Sequence, residues 1–225
     1  IAVGILTLMA FLVSAWALHD DLQKHEWLTI VPFPASYTGA VGLFYFLLPA
    51  GFLSKVFILG LFGVGMYALF LTSNIYSVAK GRTIQLLHAA HAVGLLFTLL
   101  TSLLATNVVF SLRLPFYQIA LLIGAIHFPL VLMSLWSIGL EGRVRREIWL
   151  LTATTTLFLM ELALALSFLP LSVWNSALLI MSWLYVGLGI LHNYLRGRLF
   201  TRTVTEYSLV AAFIISIFIW MFPGK

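Results

Sequence analysis

The amino-acid sequence predicts an all-α fold, a polytopic transmembrane helical bundle of about eight spans with no extramembrane domain. Three observations predict it. Of the 225 residues, 62% are hydrophobic and 8% are charged, against about 25% charged in a soluble domain. Mean hydropathy is +1.09. Apolar runs of about twenty residues, the length that crosses a bilayer core, recur from end to end. They lack the apolar/polar alternation of barrel strands, and an open sheet cannot satisfy its edges in lipid. This composition excludes a soluble globular domain, a disordered chain and a coiled coil. The net charge of +5, from 12 basic and 7 acidic residues, forms no basic stripe that would grip phosphates, so no nucleic-acid partner is expected. Cysteine is absent, which removes disulfides, thiolate metal sites and a cysteine nucleophile.

The first span, 1–18, is apolar from Ile1 and stops at His19-Asp20-Asp21. It has no basic leader and no small-residue cleavage site, so it reads as a span, not a signal peptide. Because the chain opens on Ile1, it also reads as a fragment or a processed product whose first span is cut short. The second span, 28–50, carries Pro32 and Pro34 near its start. A proline inside a helix removes a hydrogen bond, so Trp27–Tyr37 is alternatively a re-entrant piece, which lowers the count to seven. Pro49-Ala50-Gly51 turns the chain into the third span, 54–78. Lys80-Gly81-Arg82 separates it from the fourth, 84–110. Arg113 and Pro115 open the fifth, 115–140, and Glu141-Gly142-Arg143 closes it. Pro170 ends the sixth, 147–169, and Arg196-Gly197-Arg198 ends the seventh, 173–195. The eighth is 204–222. All eight belong to one integral-membrane domain, 1–225.

Orientation follows from basic residues in short loops. The loops after the third, fifth and seventh spans hold eight, while the opposite side holds three: Lys55, Arg113 and Lys225. Loops 141–147 and 196–202 are therefore expected in the cytoplasm, with the chain in a bacterial-type inner membrane. Trp27, Trp149, Trp174 and Trp220 sit near span ends, as interfacial aromatic belts do.

Ionisable groups within spans are candidate functional sites, because an acidic or basic residue at a helix centre costs about 2.5–3.5 kcal/mol on insertion scales. Glu161 is the deepest acid. Glu147, Thr154 and Glu161 are seven apart and share one face, which is expected to point into the bundle. It reads as a carboxyl hydrogen-bonded to a neighbouring helix, or as a proton relay or ion site. His127 lies mid-span on a face with Gly124 and Ser134, and Pro129 loosens its helix. His127 and Glu161 reach similar depths from opposite directions, so a contact between them is geometrically open.

A second group gathers near the cytoplasmic ends. His88 and His91 are i and i+3, and Thr98, Ser102 and Thr106 continue their stripe. His192 ends the seventh span, Glu206 begins the eighth, Asn74 lies near the end of the third and Asp20 follows the first. One cavity is expected to hold His88, His91 and His192, with Glu206 or Asp20 at its rim. Histidine with carboxylate is the donor set of zinc, which takes four ligands. Two axial histidines on facing helices would suit a haem, and His88 or His91 with His192 would supply them. The HExxH pattern of zinc proteases is absent, and neither metal nor haem is required.

Three functions follow. The first is a non-catalytic membrane component or lipophilic-ligand binder, in contact with the bilayer and with a membrane-protein partner or lipophilic ligand. The second is a metal-dependent or acid/base intramembrane enzyme with a cytoplasm-side His/Glu site. The third is a small proton- or ion-coupled transporter using Glu161 and His127.

Overall fold

A computed structural model describes residues 2–19, 26–79 and 86–221. Among them all regular structure is helical: α1 (Ala2–Ala17), a single turn α2 (Glu26–Thr29), α3 (Pro32–Tyr45), α4 (Phe52–Val78), α5 (Leu86–Ser111), α6 (Phe116–Gly139), α7 (Arg146–Leu166), α8 (Val173–Leu195) and α9 (Thr201–Met221). Helices α4 to α9 are the six long and apolar enough to cross a membrane, and α1 is a shorter apolar helix of 16 residues. The chain is an integral membrane protein. The helix ends fall within a few residues of those read from loop chemistry, because Pro, Gly and Arg interrupt the apolar runs where no helix continues.

The second segment shows what its prolines do. Pro32 sits in the first turn of the 14-residue α3, where its missing N–H costs no helical bond. Val31 before it keeps helical φ −63°, ψ −37°, so α2 leads directly into α3. At 14 residues α3 is not among the helices long enough to cross a membrane, and most of it is buried in the bundle. Gly39 and Gly42 of α3 face Thr7 and Val3 of α1, which sets the two antiparallel. Tyr37 is fully buried on the other side and donates its hydroxyl to the Leu61 carbonyl of α4.

Consecutive helices run antiparallel. Ser102 of α5 meets His127 of α6, Gly124 of α6 faces Met160 of α7, Phe158 of α7 meets Trp183 of α8 edge to face, and Gly189 of α8 faces Tyr207 of α9. This alternation gathers Arg143, Arg145, Arg146, Arg196, Arg198 and Arg202 at one end of the bundle, called here the arginine end.

Helices α3, α5, α6 and α8 form the centre, with α1, α4, α7 and α9 around them. One apolar cluster centres on Phe33, Tyr37, Leu69 and Trp136, and another on Ile123, Leu135, Leu159 and Ile180. Ile126 of α6 packs against both and joins them. The outer helices keep large apolar side chains exposed, such as Phe57, Leu59, Leu209 and Phe213, as lipid contact requires.

Candidate functional site: a polar seam and two apolar crevices

The buried face of α5 carries a line of small polar residues, Thr98, Thr101, Ser102, Thr106 and Asn107. Many serine and threonine hydroxyls in these helices donate back to a carbonyl one turn earlier, as Thr98 does to Gly94 and Thr101 to Phe97. Ser102 instead reaches across to α6, where its Oγ lies 2.7 Å from His127 Nε2. His127 Nδ1 lies 2.8 Å from the Ile123 carbonyl. A carbonyl can only accept, so Nδ1 donates and Nε2 accepts the Ser102 hydroxyl. His127 is fully buried with both nitrogens satisfied.

At the arginine end a second constellation joins α4, α5, α6 and α8. His91 Nε2 donates to the Ser137 carbonyl at 2.7 Å, and Arg196 Nη2 donates to His91 Nδ1 at 3.2 Å. A guanidinium has no acceptor and a carbonyl no donor, so this tautomer is forced. Ser134 Oγ pairs with His192 Nε2 at 3.0 Å, and the Ser137 hydroxyl donates to the Ser134 carbonyl. Tyr76 lays its ring 5.7 Å from that of His91 and donates to the Ala90 carbonyl.

Of the three histidines and the carboxylate expected in one cavity, two histidines come together. His91 and His192 converge on consecutive turns of α6. His88 does not join them; it is exposed. It lies two residues before Ala90, more than half a turn from the buried face that Ala90, Gly94 and Phe97 define. Glu206 is exposed on α9 and pairs with Arg202 at 3.0 Å instead, because its neighbour Tyr207 takes the face against Gly189. Asn74 is exposed on α4. Asp20 lies outside the described residues. Among the described residues no group of three or more His, Cys, Asp or Glu is placed to hold a metal ion.

Glu161 also departs from expectation, for it faces outward. The inward face of α7 is set by Ile148, Thr152, Thr156, Leu159, Ala163 and Leu166. Glu161 stands two residues from both Leu159 and Ala163, on the opposite side of the helix. It does not meet His127, whose nitrogens are already engaged by Ser102 and Ile123.

Sequence reasoning missed Ser137, Tyr76 and the Ile123 carbonyl. The two carbonyl partners leave no sequence signal, since every residue carries one, and a tyrosine near a helix end, such as Tyr76, carries no mark of an interhelical role. It missed two crevices as well. One, about 770 Å³, opens between α1, α3, α5 and α6, and Thr7, Ser36, Gly39, Ala105, Ala125 and Pro129 help line it. The other, about 680 Å³, lies between α1, α3 and α4, and its one charged lining residue is Lys55. Pro129 sits inside α6 and has no N–H to offer the Ala125 carbonyl one turn earlier. Both residues border the first crevice.

Fold and seam together define a polytopic α-helical membrane protein whose central helices are tied by serine–histidine bonds. The chain belongs to the DUF5656 family, described as a protein of unknown function, whose family model matches residues 1–221. No curated protein and no solved structure matches it.

Proposed function

We propose that the chain is a non-catalytic membrane component that binds a lipophilic ligand in the crevice between α1, α3, α5 and α6. The observation that carries this reading is the crevice itself, about 770 Å³ with no charged residue along its lining, within the usual range of about 300–1,000 Å³ for ligand pockets. Its polar groups specify the ligand. The Thr7 and Ser36 hydroxyls already donate to the Val3 and Pro32 carbonyls, and the Ala125 carbonyl lacks its helical donor. A wall of acceptors with no free donor suits an uncharged apolar molecule bearing one hydroxyl or amide N–H.

The seam supports catalysis or ion coupling less well. Ser102 and His127 have the parts of a nucleophile and base, yet both are fully buried and neither lines either crevice. His127 Nδ1 ends on a carbonyl, which cannot pass a proton onward. His91 has its only lone pair on Arg196.

In this reading residues 1–225 form one integral-membrane domain in a bacterial-type inner membrane. The arginine end, with loops 141–147 and 196–202, faces the cytoplasm, as the eight-to-three basic bias favours.

Solvent extraction and mass spectrometry of the protein purified in mild detergent test the proposal. One hydroxyl- or amide-bearing lipophile should be retained by the parent protein and lost from Ala125→Phe, whose new ring enters the crevice from an exposed position. Retention of bulk phospholipid alone, or equal retention by Ala125→Phe, overturns it.

A further inference from the structure

The outward face of α7 differs from that of α9. Beyond Glu206, α9 carries no acid or base to its end at Met221, and the hydroxyl of its one deep serine, Ser216, donates back to Ala212. That is how a helix facing only hydrocarbon is built. On α7 the exposed positions Leu150, Thr154, Leu157, Glu161 and Leu164 follow one another at spacings of four and three, the seam along which a second helix packs. Two of the five are polar, one heptad apart. Ala153 and Ala165 flank this seam, also exposed, and small residues let a neighbouring backbone approach closely.

The carboxyl of Glu161 has no easy route to water. Met160 beside it faces Gly124, eight residues into α6, which sets Glu161 about 10 Å inside the start of that helix, with five residues of α7 still to run to Leu166. Side chains lean toward the N-terminus of their helix. For α7 that is the arginine end, so Glu161 leans toward the bilayer centre and away from the nearer interface. The cations of its own helix, Arg145 and Arg146, lie about 22 Å away along the axis.

We propose that this face docks a transmembrane helix of a different protein, one that carries a lysine or arginine at the depth of Glu161. Charge complementarity selects that occupant. A second copy of this chain, related by a twofold axis along the membrane normal, would set Glu161 against its own equivalent at the same depth, and two adjacent carboxylates repel. A basic side chain on the partner instead gives the carboxyl a charge-assisted hydrogen bond in a medium where such bonds are not diluted by water. Thr154, two turns nearer the arginine end, supplies a further polar contact that fixes register.

The test uses the purified full chain in lipid bilayers and a labelled polyleucine transmembrane peptide with one central lysine, read by energy transfer. The lysine peptide should bind at least tenfold more tightly than the same peptide with leucine at that position. Glu161→Leu should abolish the difference. A carboxyl moved to the exposed face of α4 in the double variant Glu161→Leu, Leu59→Glu should not restore it. Equal binding of the two peptides, persistence in Glu161→Leu, or full recovery by Leu59→Glu each overturns the proposal. The chain has no cysteine, so Leu157→Cys reports this face alone. Without peptide it should stay monomeric under oxidation, and efficient disulfide dimers would show a second copy as the occupant and overturn the hetero-partner.

Discussion

His127 and Glu161 lie on adjacent helices within about 6 Å of the same depth, yet the fold treats them in opposite ways. His127 is sealed between α5 and α6, with one nitrogen on Ser102 and the other on the Ile123 carbonyl. Glu161 stands outside. The difference lies in local partners. α5 brings a hydroxyl to the level of His127, and the preceding turn of α6 brings a carbonyl. The inward face of α7 brings Thr152 and Thr156, whose hydroxyls find no partner among the described residues, against apolar neighbours. An ionisable group enters a bundle where every lone pair and hydrogen has a receiver, and otherwise stays at the surface.

The largest effect expected from this comparison is at His127. His127→Ala should destabilise the protein by about 3 kcal/mol, combining a core cavity with the buried Ser102 hydroxyl left without its partner, as read by thermal unfolding in a fixed detergent. Adding Ser102→Ala should cost less than the sum of the singles by about 1 kcal/mol, because the two share one bond. A loss below about 1 kcal/mol for His127→Ala would mean that this pair does not tie α5 to α6.

Gly124 links the two regions, since a side chain there meets the Met160 thioether. Gly124→Val should cost about 2 kcal/mol through overpacking. Gly124→Ala should cost less, because the end of Met160 is flexible. Comparable losses for both would show that α6 and α7 cannot yield at this point.

His91→Ala should cost about 1 kcal/mol, the range of helix-to-helix hydrogen bonds in membranes. Arg196→Ala should cost less than that, since the guanidinium bond is exposed. The smallest effect belongs to Glu161. Glu161→Leu and Glu161→Gln should leave the unfolding of the isolated chain within about 0.5 kcal/mol of the parent. A loss near that of His127→Ala would break the contrast and place Glu161 in an intramolecular bond.

Much of the architecture was legible in residue order. The apolar runs between Pro49-Ala50-Gly51, Arg113-Leu114-Pro115 and Pro170 became helices whose ends follow those signals closely. Thr98, Ser102 and Thr106 do share a buried face of α5, while His88, read on the same stripe, is exposed. His91 and His192 do come to one end of the bundle, because both lie near the arginine ends of antiparallel helices. The site was only half legible. His88 shares a helix with His91 but not its surroundings, and Glu206 turned to Arg202 because Tyr207 took the packed face.

Sequence by itself determined which segments leave water, where each helix stops and which end of the bundle carries the arginines, since these depend on local composition and on groups that hydrocarbon cannot solvate. Only the tertiary structure decided which way each helix face points. In a soluble protein the apolar face must turn inward, but lipid tails are as apolar as a leucine core. Both sides of α7 offered its leucines the same environment, and hydrophobicity gave that helix no direction. Packing of Met160 on Gly124 and of Phe158 on Trp183 chose the rotation, and that choice left Glu161 outside.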